Sequence, residues 1–199
     1  MAGETQNYHE TRNPFKQTAD YASVALSTTS KSVLTVSTGD LLGTSLYFPR
    51  GYWDLGKKVH FRFFGKFTTV ATPGNLTIEI RHQVGTAPSD AGGTILQTSA
   101  ATALAANKTN ISWFMDFTVE SRAAISTASG LFGKGWFFYD GAGALFTTTS
   151  QNPLFVPASA AAATNVDTTQ DCYITLQWKR SGSSAEAVVV QDFQVNALT

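Results

Sequence analysis

The side chains of this sequence with the widest chemical repertoire are three histidines, His9, His60 and His82, and a scatter of carboxylates. A protein metal site needs several His, Cys, Asp or Glu ligands converging on one point. His60 and His82 sit on strand-like segments, each read by alternation as lying on the polar face, while His9 lies in the polar N-terminal stretch. No cysteine or carboxylate stands at ligand spacing with either strand histidine, and Glu79 is only a notional third ligand. Both are therefore expected to be ordinary surface histidines, with no metal bound. A glycosidase needs two carboxylates facing each other across a cleft. The candidates are Asp54, Glu79, Asp116 and Glu120. Asp116 and Glu120 share the outward face of one segment, and Glu79 has Arg81 two residues along, so cross-strand ion pairs are the expectation.

Nucleophilic chemistry finds equally little. No G-x-S-x-G turn presents a serine, and Ser129 and Ser150 read as loop residues with no histidine nearby in sequence. Cys172 follows Asp171, whose charge raises a thiol's pKa, so a buried structural thiol is expected. It is the only cysteine, which excludes an intrachain disulfide and a cysteine-based zinc site. Gly133-Lys134-Gly135 is a glycine-rich strand and not a phosphate loop. Asn75, Asn107 and Asn110 open N-x-[ST] triplets, which a Thr- and Ser-rich chain generates by chance. The expectation is a protein that is not an enzyme and carries no cofactor.

Recognition by aromatic side chains remains. Tyr52-Trp53 stands in a loop framed by Pro49, Gly51 and Gly56 and is the candidate surface aromatic pair, suited to stacking on a sugar ring. The competing reading plugs the end of the fold with it. Residues 1–22 are polar and aperiodic, with Pro14 next to Asn13 and isolated aromatics. They read as an extended N-terminal arm whose Tyr8, Pro14, Phe15 and Tyr21 are candidate partner contacts.

The elements that must position these residues are strands. Leu76, Ile78 and Ile80 alternate with Thr77, Glu79 and Arg81. Val59, Phe61 and Phe63 alternate with His60 and Arg62, and Ile174, Leu176 and Trp178 repeat the pattern. Trp113, Met115, Phe117 and Val119 do so as well, but Phe114 interrupts their polar face, so that face is expected to be partly covered. Further strands are expected at Val33–Val36, Leu131–Tyr139 and Ala187–Val195, with a bulge or close backbone approach at Gly65. Eight to ten short strands separated by turn signals, with no sustained helical period, predict an all-β fold. It is an antiparallel β-sandwich, jelly-roll-like, over residues 23–199, with a long loop at about 141–170.

Composition narrows the function classes. The 199 residues carry 14 Lys+Arg against 14 Asp+Glu, and only 14% are charged. A balanced charge argues against direct nucleic-acid binding, which needs excess cations. No apolar run of about 18 residues is present, so no membrane span is expected. The opening MAGETQNYHE has neither a basic start nor an apolar stretch, so no secretory signal is expected. A nearly uncharged, hydroxyl-rich surface repels its neighbours little and favours life inside an assembly.

Three stretches then carry a resemblance: LYFPRGYWDLGKKVHFRFFGKFTTVATPGNLTIEIRHQVGT (46–86), ISWFMDFTVESRA (111–123) and LFGKGWFFYD (131–140). Together they resemble virion structural proteins of tailed bacteriophages, over about half of the chain, with residues 141–199 outside the likeness. The resemblance implies a jelly-roll subunit of the virion, such as a head decoration (cement) protein or a tail- or fibre-associated one, with no catalytic residues. The expectation is a capsid decoration protein, assembled in the host cytoplasm. It self-associates, with a trimer as the expected number, and contacts the major capsid protein through its own surface and the arm. The alternative is a carbohydrate- or receptor-binding tail or fibre module.

Overall fold

Alternation of large apolar and polar side chains is the force that shapes this chain, and it yields strands throughout. The computed structural model describes residues 22–32, 46–85, 90–139, 145–147, 154–156, 163–182 and 186–198. Tyr8, Pro14, Phe15 and Tyr21 of the arm, and the expected strand at Val33–Val36, lie outside these residues. The described residues contain strands and no helix. Six strands are long or central: β4 (Lys58–Thr68), β5 (Asn75–Val84), β8 (Ile111–Ser121), β9 (Ser129–Tyr139), β12 (Cys172–Arg180) and β13 (Ala187–Leu198). The others are short: β1 (Val24–Ala25), β2 (Lys31–Ser32), β3 (Tyr47–Phe48), β6 (Thr94–Thr98), β7 (Thr102–Ala103), β10 (Leu154–Val156) and β11 (Ala163–Val166).

They form two antiparallel sheets in a sandwich-like arrangement. The first runs β1-β13-β4-β8-β9-β10, with β11 also on β9; the second runs β2-β12-β5-β6, with β3 on β12 and β7 on β5. Taken as β1-β13-β4-β8 over β2-β12-β5-β6, this order is compatible with a jelly roll to which β9 is added as a hairpin partner of β8. The expected long loop at about 141–170 is different in the structure. It contains β10 and β11, which both lie along the edge of β9. Strands of three and four residues are too short to show a period, which is why the sequence reads as a loop there. The outermost strands of both sheets are short pieces of two to five residues.

The core lies between the sheets. Phe61, Phe63 and Phe67 of β4, Trp113, Met115 and Phe117 of β8, and Phe137 of β9 face Ile78 and Ile80 of β5 and Ile174, Leu176 and Trp178 of β12. Trp178 enters a nest of rings from the opposite sheet, with centroids 4.8 Å from Trp113, 5.4 Å from Phe137 and 5.6 Å from Phe67. In β13 the register slips between Val190 and Asp192. That bulge shifts the phase of the strand, so Val188 and Val190 point inward before it, and Phe193 and Val195 pack on the core after it.

Two glycines make the aromatic packing possible. Gly65 pairs with Trp113, and Gly135 with Phe117. A Cβ on Gly65 would stand 2.0 Å from the Val189 carbonyl oxygen and 2.7 Å from the Trp113 ring. One on Gly135 would stand 2.3 Å from Phe117 Cβ. The expectation of close approach at Gly65 is met, with the bulge carried by its neighbour β13. Gly135→Ala is therefore expected to lower unfolding free energy by about 1–3 kcal/mol through overpacking. Trp178→Ala should cost about 3–5 kcal/mol by emptying the nest. Both are read as a lower urea midpoint at unchanged slope.

Candidate functional site

The outer face of the first sheet is built from residues that alternate with the core. Cross-strand register aligns them in rows. One row holds Phe64 of β4, Phe114 of β8 and Phe138 of β9. Their rings stack in sequence, at 4.7 Å between Phe64 and Phe114 and 5.9 Å between Phe114 and Phe138. Phe64 and Phe138 are each 37% exposed, and Trp136, one row along on β9, is 45% exposed. Aromatic residues on a sheet normally turn inward, so a stacked row on the outside is the kind of apolar feature that marks an interaction surface.

The next row is charged. Arg62 lies opposite Asp116, with Nε 3.1 Å from Oδ2. His60 Nε2 lies 2.6 Å from the other carboxylate oxygen, Oδ1. At the end of the same two strands Lys58 faces Glu120 at 3.6 Å. The expected cross-strand pairing of Asp116 and Glu120 is thus present. Asp116 and His60 meet on this outer face, with Arg62 on the carboxylate's other oxygen. Glu79 and His82 do not join them.

Glu79 lies on the outer face of the second sheet, yet it is fully buried. Arg81 Nη2 and Lys179 Nζ each stand 2.7 Å from its carboxylate, and Ser30 donates to it at 2.7 Å. Burial pushes this carboxyl up, but the hydrogen bonds from Lys179, Ser30 and Arg81 outweigh it and leave the pKa below its ordinary value. The lid over this cluster is the 91–93 segment. Arg81 Nη1 donates to the Ala91 carbonyl at 2.9 Å, and the Ala91 N–H donates to Gln177 Oε1 at 3.0 Å. Lys31 and Asp90 close it at the rim, 2.8 Å apart. The charges here hold a loop down.

His82 corrects the reading of a surface histidine on the polar face. It shares the parity of Leu76, Ile78 and Ile80, points between the sheets and is buried. Burial lowers its pKa from 6.5 to about 4, with the Asp167 carboxylate opposing the shift. Ser129, read as a loop residue, opens β9 instead and donates to the Ala124 carbonyl at 3.1 Å. Cys172 is buried as expected, its thiol pushed up to about 12 by burial, with Asp171 adding to the rise.

The Tyr52–Trp53 pair also departs from a surface platform. Trp53 is 1% exposed and belongs to the core, packed 4.9 Å from Phe48. Tyr52 is half-buried against Phe48 and Trp53, and burial raises its phenol pKa. The loop turns its large rings in because the open end of the sandwich between β3 and β4 needs filling. The plug reading is the one the structure realises.

Sequence reasoning missed Phe64, Phe138 and Trp136 as surface residues. Two signals were present: the interruption of the polar face by Phe114, and the doublets Phe63-Phe64 and Phe137-Phe138, of which only one ring each can face inward. Among the described residues no group of three or more His, Cys, Asp or Glu converges to hold a metal ion. Compared with protein-family models, curated proteins and solved structures, the chain finds no match.

Buried His82 sets a pH dependence. Its folded pKa of about 4 lies below the ordinary 6.5, so between those values the unfolded chain binds a proton that the folded chain refuses. Its contribution to stability is complete above pH 6.5 and falls away as the pH drops toward 4, by up to about 3 kcal/mol. His82→Gln should flatten this part of the curve, read from urea midpoints between pH 7 and pH 4. An equal slope in both proteins would show that His82 is not its source.

Proposed function

We propose that the chain is a non-enzymatic structural subunit of a larger assembly, working by contact. The observation that carries this reading is the stacked row Phe64–Phe114–Phe138 on the outside of an otherwise aromatic-lined sandwich. Placing three phenyl rings and Trp136 toward water costs solvation free energy at about 25 cal/mol per Å² of apolar area, which association returns. The low charge of the chain lets copies approach one another closely. The described side chains that share ion pairs are fixed to neighbouring strands or loops, a design that favours rigidity over proton transfer.

On this proposal the assembly is a tailed-phage virion and the role that of a capsid decoration, or cement, protein, a reading supported by the sequence resemblance alone. Such a subunit would bind the major capsid protein, associate with its own kind and stiffen the shell by many modest contacts acting together. The arm of residues 1–22 would be the shell anchor. The carbohydrate alternative loses its named carrier, because Trp53 is in the core.

The reading predicts that a variant lacking residues 2–20 keeps the circular dichroism and melting transition of the full chain but no longer co-sediments with virus shells. Shell occupancy equal to that of the full chain would remove the arm from the account. Failure of the full chain itself to bind shells would remove the decoration role.

A further inference from the structure

We propose that the outer face of the first sheet is closed by a second copy of the chain, packed about a two-fold axis that runs along the strands between β4 and β8. The inference rests on the self-association reading above and gives it a surface and a two-fold symmetry in place of the expected trimer. Across that line the two strands carry matched opposites. Lys58 of β4 stands opposite Glu120 of β8, Arg62 opposite Asp116, and Phe64 opposite Phe114. Rotation by half a turn about the line exchanges β4 of one copy with β8 of the other. Each cation then faces the partner's anion, and each phenyl ring meets the partner's phenyl ring. A two-fold interface must be self-complementary, because the same patch serves both partners. Three of the five outward-facing rows along this line have that property; the other two, His60 opposite Thr118 and Lys66 opposite Ser112, place no like charges against each other under the same rotation.

The local geometry favours the arrangement. Asp116 already has one oxygen held by His60 and the other by Arg62, so the row is rigid before association and little side-chain freedom is lost on docking. In the dimer Arg62 and Asp116 form a four-member ring of alternating charge with their counterparts. The aromatic edges of Phe64, Phe114 and Phe138 interleave beside it, giving an apolar centre with a charged flank. The opposite side of the molecule is not available in the same way. There Glu79, Arg81 and Lys179 are already paired with one another, and Arg81 is bonded to the 91–93 segment. A different occupant, such as a protein of one charge sign, would find this face mixed and gain nothing from the alternation.

Sedimentation equilibrium of the full chain, without shells, tests the proposal. The expected result is a dimer. Arg62→Asp makes the charged row all acidic, and Asp116→Arg makes it all basic, so each variant alone should associate about tenfold or more weakly. Mixed in equal amounts, the two should recover a one-to-one dimer, because each row now faces its opposite. A monomeric full chain, a trimer, or a mixture no tighter than its components would overturn the proposal. Circular dichroism reports whether the variants fold. If either does not, Phe138→Ser serves instead, since its ring is partly exposed, and an undiminished dimer in that variant would equally overturn it. Shell binding is measured separately, so a dimer that binds no shell removes the decoration role alone, and a monomer that binds shells removes this interface alone.

Discussion

Trp178 is the residue on which the two sheets meet. It crosses from the second sheet into a nest formed by Phe67, Trp113 and Phe137 on three strands of the first. A ring system of that size fits only where the facing backbone gives way. Gly65 and Gly135 supply the room by letting Trp113 and Phe117 settle onto bare backbone. The consequence spreads outward. Once β4, β8 and β9 are fixed in register by these inward contacts, the side chains on their other face are fixed as well. The row Phe64–Phe114–Phe138 is therefore a product of core register, and its stacking is set by strand spacing.

The two outer faces of the sandwich solve different problems with similar residue types. On the second sheet, charge is turned inward under a loop, and Glu79 keeps its charge only because three donors surround it. At one end of the sandwich Arg180 and Glu186 make a second buried pair at 2.8 Å, with Arg180 also donating to the Leu26 carbonyl at 3.0 Å. These contacts tie the residue after β1 to the end of β12 and the start of β13. On the first sheet the charges stay near the surface and pair across neighbouring strands. One face is finished; the other still presents its chemistry.

Much of this was legible in the residues, and the reasons for the misses are physical. The strands β4, β5, β8 and β12 declare themselves through period two, and so do their inward residues. His82 would have been placed correctly by carrying the same alternation from Ile80 two residues further. Its polarity misled, though a neutral imidazole is a tolerable core group. Glu79 was correctly paired with Arg81, but its burial depends on Ser30, Lys179 and the 91–93 segment, which come from distant parts of the chain. Trp53 looked like a binding platform because loop residues usually face water, and only the three-dimensional closure by Phe48 shows why it turns in. The Phe64 row needed pairing information, since three phenylalanines from three strands become one feature only when their register is known.

The strand order has a temporal meaning. β13, the last described strand, lies inside the first sheet between β1 and β4, and β12 lies inside the second between β2 and β5. Neither sheet can be assembled from the residues that leave the ribosome first. The emerging polypeptide must keep Phe61 and Ile78 without their strand partners Val195 and Trp178 until β12 and β13 have been synthesised. Both sheets thus wait for residues 172–198, and a chain stopped before residue 172 would expose two half-made sheets, the state most prone to clump with its siblings.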